Sequence, residues 1–155
     1  MNAATYSTLA TKLQFRLSTV ADIGIVHTEQ RDIRDEESLR ASFLDREQKT
    51  LAGFTMERES FTDKQLTNIE NEKHSIFVFR GYRAHNDTLK TGVKFQTILD
   101  LISSRFRPQD NLDGYVEMIY PIQCRACGFV QFGNILCHYC ELTLEVQERY
   151  NTLLP

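Results

Sequence analysis

Ile135-Leu-Cys-His-Tyr-Cys-Glu-Leu-Thr-Leu-Glu-Val-Gln-Glu148 is the stretch on which the fold turns. Its even positions Leu136, Cys140, Leu142, Leu144 and Val146 are apolar, and its odd positions Tyr139, Glu141, Thr143, Glu145 and Gln147 are polar. Alternation with a period of two is the pattern of a strand with one buried face. The same stretch holds Cys137 and Cys140, the second of two Cys-x-x-Cys pairs; the first, Cys124 and Cys127, lies just upstream and is followed by Gly128. Two such pairs suggest a closed four-thiolate zinc site, with the glycine tightening the turn around the metal. The two readings conflict. Side chains three apart on a regular strand point to opposite faces, so Cys137 and Cys140 cannot both face one ion.

Spacing argues in the same direction. The pairs are separated by nine residues, Gly128 to Leu136, against about 15–20 in a zinc ribbon. The second pair is followed by Glu141 rather than glycine. The expectation is therefore a buried Cys140 acting as a small hydrophobe, Cys124 and Cys127 at a turn, and no metal or cofactor. The alternative is a small zinc-binding module that contacts nucleic acid or a protein, with Cys124, Cys127, Cys137 and Cys140 as ligands and His138 in reserve if one cysteine faces away.

Upstream, Tyr6, Leu9, Ala10, Leu13, Leu17 and Val20 recur at three- and four-residue steps and predict a helix over about 4–19. Asp22-Ile-Gly24 breaks it, and a strand is expected at about 23–31. Residues 32–50 are crowded with charge and read as a solvated loop, with one short helix near 36–47. Residues 51–61 and 74–84, the latter built on Ser75-Ile-Phe-Val-Phe79, form an antiparallel hairpin across a polar connection at 63–72. Asp87 or Thr88 caps a second helix whose apolar face is Leu89, Val93, Phe95, Ile98, Leu99, Ile102 and Phe106, and Pro108 ends it. After a turn-rich loop at 107–114 come strands at 115–120, at 127–134 and over the long closing stretch. Few helices and strands in runs give an α+β class: a mostly antiparallel sheet with two main helices packed on one face, in one domain over 1–155.

Composition narrows the function classes. The net charge is −3 and the isoelectric point about 5.8, whereas a dedicated nucleic-acid binder usually carries a basic surplus. No apolar run reaches the roughly 18–20 residues that span a bilayer. The opening residues Met1 to Tyr6 lack the charged-then-apolar pattern of a signal peptide. The expected compartment is a cytoplasm, where thiols stay reduced. No phosphate-binding glycine loop, dinucleotide fingerprint or nucleophile elbow occurs. His27, His74, His85 and His138 fall in different elements without metal-ligand spacing, and no acid/base pair stands out, so no catalytic residue is expected and the chain reads as a non-enzyme. Arg80, Arg83, Arg105 and Arg107 interleave with Phe79, Tyr82 and Phe106. That pattern suits single-stranded nucleic acid, but aromatics in a core with arginines reaching outward produce it equally.

The layout as a whole resembles the tail-terminator and tail-completion (neck) proteins of tailed bacteriophages. The matching pieces are the helix with Leu9, Leu13 and Leu17, the turn into Ile23-Gly-Ile-Val26, the strand Ser75 to Phe79, the helix with Phe95-Gln-Thr-Ile-Leu-Asp-Leu-Ile102, and the closing Cys137 to Val146. The resemblance covers nearly the full chain as a pattern of elements, and the cysteine pairs are not part of it. It implies a structural virion protein of the tail and neck, assembled in the host cytoplasm. Its partners would be itself in a ring, commonly a hexamer, the tail tube protein, the head–tail connector or neck protein and a sheath protein. It implies no membrane contact and no nucleic acid beyond the DNA that passes through the ring. The charged loop at 32–50 and the polar connection at 62–73 are expected to contact neighbouring subunits.

Overall fold

The structure, a computed structural model, describes residues 3–152; residues 1–2 and 153–155 of the expected 1–155 span lie outside the described residues. The elements run α1 (Tyr6–Ser18), β1 (Ile25–His27), α2 (Glu36–Phe43), β2 (Leu44–Asp45), β3 (Thr50–Gln65), β4 (Glu70–Ala84), α3 (Thr91–Arg105), β5 (Met118–Ile119), β6 (Gln123–Phe132) and β7 (Ile135–Asn151). The class is α+β as expected, and among the described residues one sheet of seven strands forms the framework.

Strands β3, β4 and β7 are adjacent and antiparallel, with β4 in the middle. β5 and β6 pair with the far side of β7, one beyond the other. β1 and β2 line the outer side of β3. β1 runs parallel to β3, which makes the sheet mixed. The predicted hairpin of 51–61 with 74–84 is present in register, with Phe54 opposite Gly81 and Met56 opposite Phe79.

The strands are longer than the sequence pattern suggests. The expected polar connection at 63–72 does not exist as a loop: Asp63 pairs with Lys73 and Gln65 with Asn71, and the turn is confined to residues 66–69. β7 continues the ladder on the other side of β4, from Glu70 opposite Asn151 to His74 opposite Gln147. Backbone pairing on both sides of β4 sustains this three-stranded arm where little apolar burial does. Phe61, Leu66 and Ile69 are exposed along it.

Other boundaries shrink. The strand expected at 23–31 is reduced to three residues because Asp22 and Gly24 both take positive φ, 61° and 83°. A Cβ at Gly24 would lie 2.2 Å from the Ala52 carbonyl oxygen, so only glycine fits that approach. The second long helix begins at Thr91, not near Asp87. Asn86 and Thr91 close a turn instead: Asn86 N–H donates to Thr91 Oγ1 at 2.8 Å and Leu89 N–H to Asn86 Oδ1 at 3.1 Å. Leu89 and Val93 leave the predicted apolar face and stand 67% and 68% exposed: Leu89 precedes the helix, and Val93 lies about 200° around it from the buried Phe95. The short helix in the charged segment is real. Asp35 and Ser38 form a capping box, and Leu39 and Phe43 are fully buried.

Two hydrophobic clusters result. The larger draws Leu9, Leu13 and Leu17 from α1, Phe95, Ile98 and Ile102 from α3, and Phe54, Phe77, Phe79, Cys140, Leu142 and Leu144 from the sheet. The smaller joins Leu39 and Phe43 of α2 to Phe132 and Cys137. Each fully buried phenylalanine contributes about 1.5–3 kcal/mol relative to exposure. No helix among the described residues is long and apolar enough to cross a membrane.

Candidate functional site: the cysteine and histidine cluster

The pleat of β7 separates its two cysteines as predicted. Both are fully buried, but Cys137 belongs to the smaller cluster and Cys140 to the larger. Burial pushes the Cys137 thiol up to about 11 and raises that of Cys140 further. Both are inert packing groups in this setting.

Cys124 and Cys127 lie on β6 rather than at the predicted turn, and both are exposed. A β-bulge interrupts the pairing there: Cys124 opposes Leu142, Ala126 opposes Glu141 and Cys127 opposes Cys140. Arg125 is the extra residue. It restores the pleat phase, so two cysteines three apart emerge on one face. The Cys124 thiol donates to the Ala126 carbonyl at 3.4 Å, and Gln96 Nε2 of α3 donates to Cys127 Sγ at 3.4 Å. Burial, then the neighbouring Cys127, raises the Cys124 thiol. Gly128 is an ordinary strand residue with open space around it, not a turn glycine.

A four-thiolate site is therefore not assembled. Cys137 faces the opposite side of the sheet from the other three, and the Cys140 sulfur packs against Gly81 of β4, where a Cβ would lie 2.8 Å from it. Among the described residues no three His, Cys, Asp or Glu side chains gather as a metal set by themselves.

The histidine reserved for that site has other company. His138 is buried on β7, opposite Phe129 of β6 and Arg83 of β4. Its Nε2 lies 3.0 Å from Thr91 Oγ1 and 3.2 Å from Nδ1 of His85, just past the end of β4. His85 Nε2 lies 3.2 Å from the Asp87 carboxylate. Phe95 stacks on the His138 ring, and Phe129 covers both imidazoles. Burial first, then His85 and Arg83, lowers the His138 pKa, so this imidazole is neutral at pH 7. The remaining histidines are structural. His27 Nε2 meets the Ser42 carbonyl at 2.7 Å, and His74 sits between Glu145 at 2.7 Å and Glu72 at 3.2 Å, which raise its pKa.

The arginine and aromatic set is absorbed by the fold. Phe79 and Phe106 are core residues in contact with each other. Arg83 is buried and donates to the Asp22 carbonyl, while Arg105 and Arg107 donate to the carbonyls of Thr19 and Ser104. Arg80 is paired with Glu57 and, at 3.1 Å, with Glu141. Arg125 extends this network to Glu141 at 3.3 Å and Glu59 at 2.8 Å. The result is a cross-sheet ion ladder rather than a free cationic surface. Comparison with known proteins finds no family model and no curated protein that matches this chain.

Proposed function

We propose that the chain is a non-enzymatic assembling subunit of a tailed-phage virion, a ring-forming tail terminator that caps the tail tube and docks to the head-side connector. The observation that carries this reading is the β3–β4–β7 arm. It extends three strands into solvent, leaves the outer edge of β3 without a strand partner beyond Thr55 among the described residues, and exposes Phe61, Leu66 and Ile69. A long open edge with apolar tips is a liability in an isolated molecule and an asset in an assembly. On this reading α1 and α3 together form one covered face of the sheet, and the arm reaches the adjacent subunit. The order of elements, from opening helix to closing strands, agrees with the resemblance.

The charged segment is a poor place to test the idea. Removing 34–48 would delete α2 and expose the smaller cluster, so loss of a ring would report misfolding. The informative variant replaces Phe61, Leu66 and Ile69 with serine. Mass photometry of the parent protein should show a closed ring, commonly six subunits, and the variant a folded monomer. A parent that stays monomeric at high concentration overturns the proposal.

A further inference from the structure

Two imidazole nitrogens and a hydroxyl meet between His85, His138 and Thr91. Thr91 Oγ1 accepts from Asn86 N–H at 2.8 Å, and its own hydrogen has two acceptors in reach, the Asn86 carbonyl at 3.2 Å and His138 Nε2 at 3.0 Å. The Asp87 carboxylate lies 3.2 Å from His85 Nε2 and favours the tautomer that leaves a lone pair on His85 Nδ1. His138 Nε2 thus stands between two polar neighbours, 3.0 Å from Thr91 Oγ1 and 3.2 Å from His85 Nδ1.

We propose that this shared position is a site for a divalent transition-metal ion, with His85 Nδ1 and His138 Nε2 as its protein ligands. An ion about 2.0–2.1 Å from both nitrogens, which lie 3.2 Å apart, subtends an angle of about 100° between them, close to tetrahedral. An ion in that position displaces the hydrogen held between the two nitrogens. The His138 ring keeps one proton by carrying it on Nδ1, so no net proton is released. Asp87 lies beside the outer nitrogen of His85 at 3.2 Å, where a carboxylate favours the tautomer that frees Nδ1 for a metal and raises its basicity. Thr91 Oγ1 and water complete the coordination. Two neutral imidazoles without a committed thiolate select Zn2+, Cu2+ or Ni2+ over Mg2+ or Ca2+. Residues from the end of β4, from β7 and from the start of α3 meet here, and Phe129 of β6 shields the position from bulk solvent.

Co2+ alone is the probe, because its absorption distinguishes nitrogen from thiolate ligation. The full chain should bind one Co2+ without a thiolate charge-transfer band. Binding should persist in the double variant Cys124→Ser, Cys127→Ser. It should weaken at least tenfold in His85→Ala, whose side chain is only part of the rim and whose loss leaves the core intact. Asp87→Asn, at a solvent-exposed second position, should weaken it by about tenfold or less. Affinity unchanged in His85→Ala, a thiolate band that vanishes with Cys124 and Cys127, or no saturable binding each overturns the assignment.

Discussion

The two Cys-x-x-Cys pairs have the same spacing and lie on neighbouring antiparallel strands, yet the sheet splits one and gathers the other. In β7 the pleat is regular, so Cys137 and Cys140 diverge into separate clusters and disappear from solvent. In β6 one extra residue, Arg125, resets the pleat, and Cys124 and Cys127 emerge side by side at the surface. Cysteine spacing alone does not define a site. The phase of the strand beneath it does.

The glycine nearest each pair gives the largest contrast. Gly81 faces Cys140, and a Cβ there would sit 2.5 Å from Phe54 and 2.8 Å from the Cys140 sulfur. Gly81→Ala should cost about 2–3 kcal/mol through overpacking. Gly128→Ala, which meets nothing within 4 Å, should stay within about 0.5 kcal/mol. Urea denaturation of the two variants measures the difference, and equal effects would break the comparison. Next in size is the hydroxyl test. Cys137→Ser and Cys140→Ser each bury a hydroxyl among apolar neighbours and should cost about 1–3 kcal/mol, while Cys124→Ser and Cys127→Ser should leave the melting temperature nearly unchanged.

The pH dependence separates the pairs again. The Cys137 thiol rises from 9.0 to about 11 on folding. Above pH 9 the unfolded chain loses this proton and the native chain keeps it, so the native state binds more protons and stability falls as pH rises. The loss runs from pH 9 to about 11, at up to about 1.4 kcal/mol per unit. Stability is full below pH 9. Denaturation midpoints at pH 8 and 10.5 should differ less in Cys137→Ala than in the parent. The smallest effect concerns reactivity. A thiol reagent at pH 8 should modify two of the four cysteines in the native protein, Cys124 and Cys127, and all four after unfolding. A bridging arsenical should link Cys124 to Cys127, and deleting Arg125 should abolish the link by moving one sulfur to the other face. Linkage that survives the deletion would show that the bulge does not set the pairing.

Much of this was legible before the structure. The even and odd faces of the closing stretch named Leu142, Leu144 and Val146 as core, and those residues are buried. The hairpin around Phe77 and Phe79 carried its own β propensity and paired as read. The capping box at Asp35 and Ser38 lies in a segment whose charge reads mainly as a solvated loop, although Leu39 and Phe43 mark its buried side. The arm is not legible in the sequence because the paired stretches Thr62 to Gln65 and Glu70 to Lys73 have polar side chains on both faces, and backbone pairing leaves no hydrophobic trace. The helix at Thr91 was placed too early because Asp87 resembles a cap in sequence, while Asn86 and Thr91 make the actual turn.

Local periodicity, then, determined the α+β class, the opening helix, the central hairpin and the divergence of Cys137 from Cys140. All of these depend on side-chain direction over a few residues. Only the tertiary structure decided the parallel docking of β1, the phase shift at Arg125 and the meeting of His85 with His138 across 53 residues of chain. Those depend on which strands become neighbours and in what register, and no single segment carries that information.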